Sequence, residues 1–310
     1  MNIFIHLLLF VIIVFIYLHI QEQFKTSEDL EVFEMDYTTN THLQEVCDLK
    51  QPIIFEYKSI NPDFFEDVII EDDEGSQDVY VKDTREYLLE DDQYIDPLVL
   101  PYSSTKTLIK SDTGGYYFSE GNYDFVEEVG LRPEFESNDS FFKPTMNIIK
   151  KYDICFGSKN AYTPLRYHTH YREFYIVHQG KIRIKMTPFK SRKWLNSVKD
   201  YDNYEFRCSN NPWSDDTSDK IKYIEFDVNP GFAVYIPPYW WYSIRYVSEG
   251  DNLISGFTYC SLMNCISNIS DYGRYYLQQH NTKKKIVRTL PDLDKESNEI
   301  KEAVEMLQST

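Results

Sequence analysis

The first hydrophobic pattern in the chain is an unbroken apolar run at its amino-terminal end. Residues 3–20 read IFIHLLLFVIIVFIYLHI and contain no Lys, Arg, Asp or Glu. Eighteen helical residues span about 27 Å, close to the thickness of a bilayer's hydrocarbon core. No basic residue precedes the run and no small-residue cleavage pattern follows it. We therefore expect residues 1–22 to form an uncleaved transmembrane anchor rather than a signal peptide or a buried core helix.

Polar and apolar positions change character after this run. Residues 23–40 are polar and acidic, which predicts a short stalk. Residues 181–186 alternate between basic and apolar side chains, as a strand with one buried face does. If the apolar face points inward, Lys181 and Arg183 point to solvent. In the tail, residues 276–310, apolar residues at positions 300, 304 and 307 have helical spacing and predict a terminal amphipathic helix.

Composition narrows the function classes. The 310 residues carry a formal net charge of −18, which would repel a nucleic-acid backbone, so we expect no nucleic-acid partner. Acidic residues are concentrated in residues 63–92, which predicts a solvated surface, with a docking surface for a basic protein as the alternative. The five cysteines form no CxxC motif, so most are expected to be buried apolar residues. Nothing in the sequence marks an oligomer interface.

Two blocks carry the candidate chemistry. Residues 163–188 read TPLRYHTHYREFYIVHQGKIRIKMTP, and residues 231–246 read GFAVYIPPYWWYSIRY. In the first block, Arg166 and His168 are two residues apart, Glu173 follows after four intervening residues, and Gly180 after six more. Residues two apart on a strand face the same side, so Arg166 and His168 are expected to face one interior.

The two blocks resemble the signature strand pairs of cupin barrels, in particular those of the JmjC and asparaginyl-hydroxylase-type branch. The resemblance extends over residues 41–275. It implies a mainly β fold, a double-stranded β-helix (cupin or jelly-roll barrel) with accessory helices. Members of this branch are oxygenases that use Fe(II) and 2-oxoglutarate. The resemblance therefore implies Fe(II) and 2-oxoglutarate as candidate cofactors.

The residues at the metal positions differ from those of the family. The resemblance places the iron triad at Arg166, His168 and Tyr242. Arginine is permanently cationic and cannot ligate iron, and tyrosine is a poor replacement for imidazole on ferrous iron. We therefore expect a protein without standard oxygenase activity that binds a partner or a small ligand, with an active 2-oxoglutarate-dependent protein hydroxylase of unusual ligand set as the alternative. Arg166 is expected to pair with Glu173 where a metal would lie, with binding of a ligand carboxylate or phosphate as its alternative role.

Other assignments of these residues stay open. His168, His170 and Glu173 form the ligand set of many other cupins and would accept zinc, iron, nickel or manganese, although the spacing is one residue short; the alternative is surface or turn histidines. In many relatives a basic residue after the turn glycine binds 2-oxoglutarate. A register shift of one residue would give that role to Lys181 or Arg183. Trp240 and Trp241 are either core residues or pocket aromatics.

Overall fold

The computed structural model describes residues 2–68, 76–88, 95–214 and 220–281. These parts of the chain form two β-sheets, several short helices and one long apolar helix at the amino-terminal end. A mainly β chain with an apolar first helix was expected, and both features are confirmed. The amphipathic helix predicted around residues 300–307 lies outside the described residues, as does part of the acidic segment 63–92.

Strands make up both sheets and carry most of the candidate residues. Aromatic and β-branched side chains are frequent in them, as is typical of pleated, half-buried surfaces. In chain order the strands are β1 (Phe33–Glu34), β2 (Ile53–Glu56), β3 (Asp78–Asp83), β4 (Leu98–Pro101), β5 (Tyr117–Ser119), β6 (Asn147–Gly157), β7 (Leu165–Tyr167), β8 (Arg172–Gln179), β9 (Ile182–Thr187), β10 (Ser197–Asp200), β11 (Glu205–Cys208), β12 (Ile224–Val228), β13 (Phe232–Ile236), β14 (Trp241–Tyr246) and β15 (Leu253–Ser261).

The helices other than the first are short. Several of them lie against the larger sheet, and two follow the last strand. In chain order the helices are α1 (Asn2–Phe24), α2 (Asn40–Cys47), α3 (Asp63–Asp67), α4 (Tyr102–Ser111), α5 (Tyr123–Glu128), α6 (Arg132–Ser137), α7 (Asp139–Phe142), α8 (Leu262–Ser267) and α9 (Ile269–Gln279).

The chain passes repeatedly from one sheet to the other. The larger sheet has the strand order β1-β2-β13-β8-β15-β6-β5-β3-β4, and the smaller has β10-β11-β7-β14-β9-β12. Among the described strands, β1 and β2 pair in parallel and the other pairs are antiparallel. The successive strands β7, β8 and β9 alternate between the smaller, the larger and again the smaller sheet. Each of the two sequence blocks therefore contributes strands to both sheets.

Apolar side chains fill the space between the sheets. Val177 and Ile254 of the larger sheet share one buried cluster with Ile184 and Tyr242 of the smaller sheet. A second cluster joins the opposite face of the larger sheet to helices α2, α3, α5, α6 and α7. A third covers the outer face of the smaller sheet. The molecule is therefore layered, and Tyr242 lies in the layer between the two sheets.

Helix α1 is long and apolar enough to span a membrane, by its length and composition. Its side chains are exposed along most of its length, whereas Gln23 near its end is buried and the helix packs against α8. The segment predicted as a stalk contributes β1, which pairs with β2. The predicted boundary at residue 275 falls inside α9.

Candidate functional site

A polar cavity of about 140 Å³ lies where β7, β8 and β14 come together. It combines hydroxyl, carboxylate, imidazole and guanidinium groups, which is the composition of a site that binds a polar ligand or an ion. Its lining includes the side chains of Lys82, Glu120, Tyr123, Asp153, Arg166, His168, His170, Glu173, Tyr175, Tyr204, Glu205 and Tyr242.

A short loop brings two histidines to one carboxylate. Strand β7 ends before His168, and β8 begins after the loop that contains His170, so Glu173 is the second residue of β8. The Nδ1 atoms of His170 and His168 lie 2.8 Å and 3.5 Å from Glu173 Oε2. The candidate ligand atoms of the three residues lie within 4.8 Å of one another. The loop thus assembles the predicted set despite its short spacing.

The hydrogen bonds of His168 fix which ring nitrogen carries the proton. Its Nε2 lies 3.0 Å from the carbonyl oxygen of Ile236, which only accepts hydrogen bonds, so Nε2 donates. Burial lowers the pKa of His168 to about 4, and the ring is therefore neutral at pH 7. Its Nδ1 then carries a lone pair, yet this buried atom has no hydrogen-bond partner. Of the two alternatives, surface or turn histidine, His168 lies in the turn between β7 and β8 and is buried there.

Two tyrosines orient the carboxylate of Glu173. Tyr175 and Tyr242 donate their hydroxyl hydrogens to Glu173 Oε1 over 2.7 Å and 2.9 Å. The other oxygen, Oε2, faces the two histidines. Burial raises the pKa of Glu173, but His168, His170 and the hydrogen bonds outweigh burial and hold it well below its usual range. Glu173 is therefore ionised. Its Oε1 accepts hydrogen bonds from the two tyrosines, and its Oε2 lies beside the imidazole rings of the two histidines.

Arg166 lies inside the cavity but does not pair with Glu173, so that prediction is wrong. Its guanidinium forms a two-pronged bond with Glu120, with Nη2 2.6 Å from Oε2, and its Nη1 lies 2.9 Å from Glu205 Oε1. The guanidinium also lies 5.5 Å from the centre of the Tyr242 ring. Glu120 follows β5 and Glu205 begins β11. Two elements outside the signature blocks therefore neutralise Arg166 and leave Glu173 to the histidines.

Lys82 completes a balanced cluster of charges around Arg166. Its Nζ lies 3.0 Å from Glu120 and 3.9 Å from Glu205, so two cations face two carboxylates. Burial raises the pKa of Glu120, but Arg166 and Lys82 outweigh it and lower the pKa to about 2. The cluster is thus charged at neutral pH and carries no net charge of its own.

The remaining predicted site residues lie elsewhere. Lys181 and Arg183 are on the outer face of the smaller sheet, where both pair with Asp227. Their apolar neighbours on β9 point inward, as the alternation predicted, so neither base reaches the cavity and their assignment to 2-oxoglutarate binding is wrong. Trp240 and Trp241 are fully buried in two apolar clusters and do not line the cavity, so they are core residues.

Sequence reasoning missed seven of these side chains. Tyr175 is the one with a usable signal, because it lies two residues after Glu173 and therefore on the same strand face. The others come from the chain before the first block and from the segment between the two blocks, where no local pattern marks them. The missed residues are Lys82, Glu120, Tyr123, Asp153, Tyr175, Tyr204 and Glu205.

No protein-family model matches the chain, and no curated protein matches it significantly. The function of the site is therefore inferred from its geometry.

Proposed function

We propose that this chain is a membrane-anchored, cupin-like protein whose cavity binds one divalent transition-metal ion, and that it lacks the chemistry of the Fe(II)/2-oxoglutarate oxygenases. Two facing, largely antiparallel sheets with strands that alternate between them support a cupin-like architecture. The position of the cavity between the two signature blocks supports it further. The proposed function is that of a metal-dependent binding module.

The unpartnered Nδ1 of His168 carries the proposal. A buried lone pair without a hydrogen-bond donor is unfavourable, and here it faces an ionised carboxylate 3.5 Å away. A cation bound between Nδ1 and the carboxylate accepts the lone pair and separates it from the negative charge of Glu173. In metal sites the ligating histidine commonly donates its other ring N–H to a backbone carbonyl, and His168 donates to Ile236 in this way.

The distances suit a small ion. Ligand atoms about 2.1 Å from a tetrahedral ion lie about 3.4 Å from one another. The Nδ1 atoms of His168 and His170 lie 3.5 Å and 2.8 Å from Glu173 Oε2, values on either side of that spacing. Two imidazoles and one carboxylate are ligands that zinc, manganese, iron and nickel accept. Three protein ligands leave a position open toward the cavity for an oxygen or nitrogen atom of a small ligand.

The same geometry disfavours an oxygenase of the JmjC type. Two of the three positions of its triad hold Arg166 and Tyr242, and both side chains are committed to carboxylates. The bases considered for 2-oxoglutarate, Lys181 and Arg183, lie outside the cavity. The residues at the triad positions of that branch therefore do not fit its iron site, and the bases considered for 2-oxoglutarate do not reach the cavity.

The membrane anchor is the second part of the proposal. Helix α1 is exposed and apolar along residues 3–18, and burial begins where it meets the folded domain. An exposed helix of this composition is unfavourable in water and favourable in a bilayer. The domain would therefore lie close to the surface of the membrane.

Metal titration tests the proposal. The full chain is purified in detergent, stripped with a chelator and titrated with Zn²⁺ by calorimetry. We expect one site, and we expect His168→Ala to weaken its affinity by more than about 100-fold, since losing a direct ligand exceeds the effect of losing an outer partner. His42→Ala is the matched control, because His42 is an exposed histidine on α2 outside the cavity.

Two outcomes would contradict the proposal. The first is a correctly folded full chain that binds no Zn²⁺, or that binds it equally well after His168→Ala. The second concerns the oxygenase: an iron-loaded chain that converts 2-oxoglutarate to succinate would refute the absence of that activity.

A further inference from the structure

Helix α9 turns its polar side toward the protein. Asp271 accepts a hydrogen bond of 2.7 Å from the Tyr201 hydroxyl, and Gln279 donates one of 2.6 Å to the carbonyl of Asp202. The Tyr272 ring stacks on Tyr204 at 5.0 Å between ring centres. The polar groups of this helix are therefore occupied by contacts with the domain.

The opposite side of α9 is apolar and exposed. Ile269, Tyr276 and Leu277 are 69%, 61% and 70% exposed, and Gly273 between them has open space around it. These four positions have the spacing of a single helix face. Arg274, which borders that face, turns back to donate a hydrogen bond to Tyr201. An apolar helix face that is exposed in this way is typical of a surface that contacts another protein or a membrane.

Helix α9 follows the helix that contacts the proposed anchor. Helix α8 directly precedes α9 and packs against α1. The last ring of α1, Phe24, lies 5.9 Å from the ring of Tyr239. Leu262 at the start of α8 is itself exposed. Helix α9 is therefore joined, through α8, to the region where the proposed anchor meets the domain.

We propose that the outer face of α9 lies on the lipid surface of the membrane that α1 spans. The inference rests on the proposed anchor, which fixes the membrane beside α8. A short helix with leucine, isoleucine and tyrosine on one face is typical of the boundary between headgroups and acyl chains. Beyond α9 the sequence continues with Lys283, Lys284 and Lys285 in a chain of net charge −18, and lysines favour anionic headgroups.

The lipid contact places the cavity at the membrane surface. The carbonyl of Thr169, between the two candidate ligand histidines, accepts a hydrogen bond of 2.8 Å from Asn264 of α8. Tyr204, which stacks on α9, lines the cavity. Helices α8 and α9 therefore connect the membrane-facing side directly to the rim of the metal site.

Photo-crosslinking of the full chain in lipid nanodiscs tests this inference. A benzoylphenylalanine replaces Leu277 in one sample and Leu98 in the matched control. Leu98 is 55% exposed on β4, at the opposite edge of the larger sheet from β1. After illumination, mass spectrometry measures lipid adducts. We expect at least about tenfold more lipid adduct at position 277 than at position 98, because acyl chains contact an interfacial helix directly.

Extraction of the chain at alkaline pH separates the two proposals. If the chain stays in the membrane and position 277 forms no more lipid adduct than position 98, the lipid-facing role of α9 is refuted and the anchor stands. If position 277 crosslinks to a second protein chain instead, the same role is refuted. If alkali releases the chain from the membrane, both the anchor and the lipid contact are refuted.

Discussion

Glu173 is bound differently at its two oxygens, and this difference defines the site. Oε1 accepts hydrogen bonds from Tyr175 and Tyr242, whereas Oε2 faces His168 and His170. The sequence offered two histidines and one glutamate as an alternative ligand set, beside the expected pair of Arg166 and Glu173. It also placed Tyr242 at a triad position, where the structure gives it a supporting contact with the carboxylate. The sequence therefore indicated that Tyr242 belongs to the site, but only the structure shows that its partner is Glu173.

Removing the Tyr242 hydroxyl tests this supporting role. Tyr242→Phe deletes one of the two hydrogen bonds to Glu173 Oε1 and keeps the ring. Losing an outer hydrogen-bond partner lowers metal affinity by about 10- to 100-fold, so we expect a decrease of that size in Zn²⁺ titration. Tyr246→Phe is the matched control on the same strand, since no hydrogen bond of its hydroxyl is described. Equal effects of the two substitutions would contradict the role assigned to Tyr242.

Glu120 gives the fold a defined dependence on pH. Its pKa is lowered from 4.5 to about 2, so its ionised form stabilises the folded state above pH 4.5 and this contribution is lost as pH falls toward 2. The full contribution is at most about 3 kcal/mol. Glu120→Gln should lower the free energy of unfolding at pH 7 and flatten its decline between pH 5 and pH 3, measured by urea unfolding. An unchanged decline would show that Glu120 does not carry this contribution.

At the scale of elements, the sequence predicted what local periodicity controls. The alternation of β9 correctly placed Ile182 and Ile184 inside and Lys181 outside. The partners of Arg166 could not be predicted in this way. Glu120 and Glu205 are separated from Arg166 by 46 and 39 positions in the sequence. Residues 197–208 lie between the two sequence blocks, where no motif was recognised, yet they include β10 and β11 and supply one of these carboxylates.

The turn between β8 and β9 depends on Gly180. Its φ is +75°, and a Cβ atom there would lie 2.1 Å from Asn252 Oδ1. Asn252 is buried and donates a hydrogen bond to the Gly157 carbonyl, so it cannot move freely. Gly130 has a similar φ of +77° with open space around it. Both substitutions strain the backbone, because both glycines have a positive φ, but only Gly180→Ala adds a steric clash. We therefore expect Gly180→Ala to lower the free energy of unfolding by about 1–3 kcal/mol more than Gly130→Ala.

Equal losses at the two glycines, measured by urea unfolding, would contradict the close packing of Asn252 against this turn.

At the scale of the whole molecule, helices α8 and α9 connect the apolar helix α1 to the rim of the polar cavity. Helix α1 followed directly from hydrophobic patterning, whereas the mainly β character was expected from the family resemblance. The exposed apolar face of α9 could not be predicted from the pattern. An amphipathic helix usually buries its apolar side, whereas α9 turns its polar side toward the protein. The strongly negative charge of the chain is compatible with a cavity that attracts a cation.

The most direct test of the central claim is the position of a metal ion in crystals of the full chain grown with Zn²⁺. Anomalous scattering at the zinc edge locates the ion without assumptions about its ligands. The proposed function predicts one peak about 2.0–2.2 Å from Nδ1 of His168, Nδ1 of His170 and Oε2 of Glu173. A cavity without a zinc peak, in which His168 Nδ1 accepts a hydrogen bond from water, would contradict the metal site.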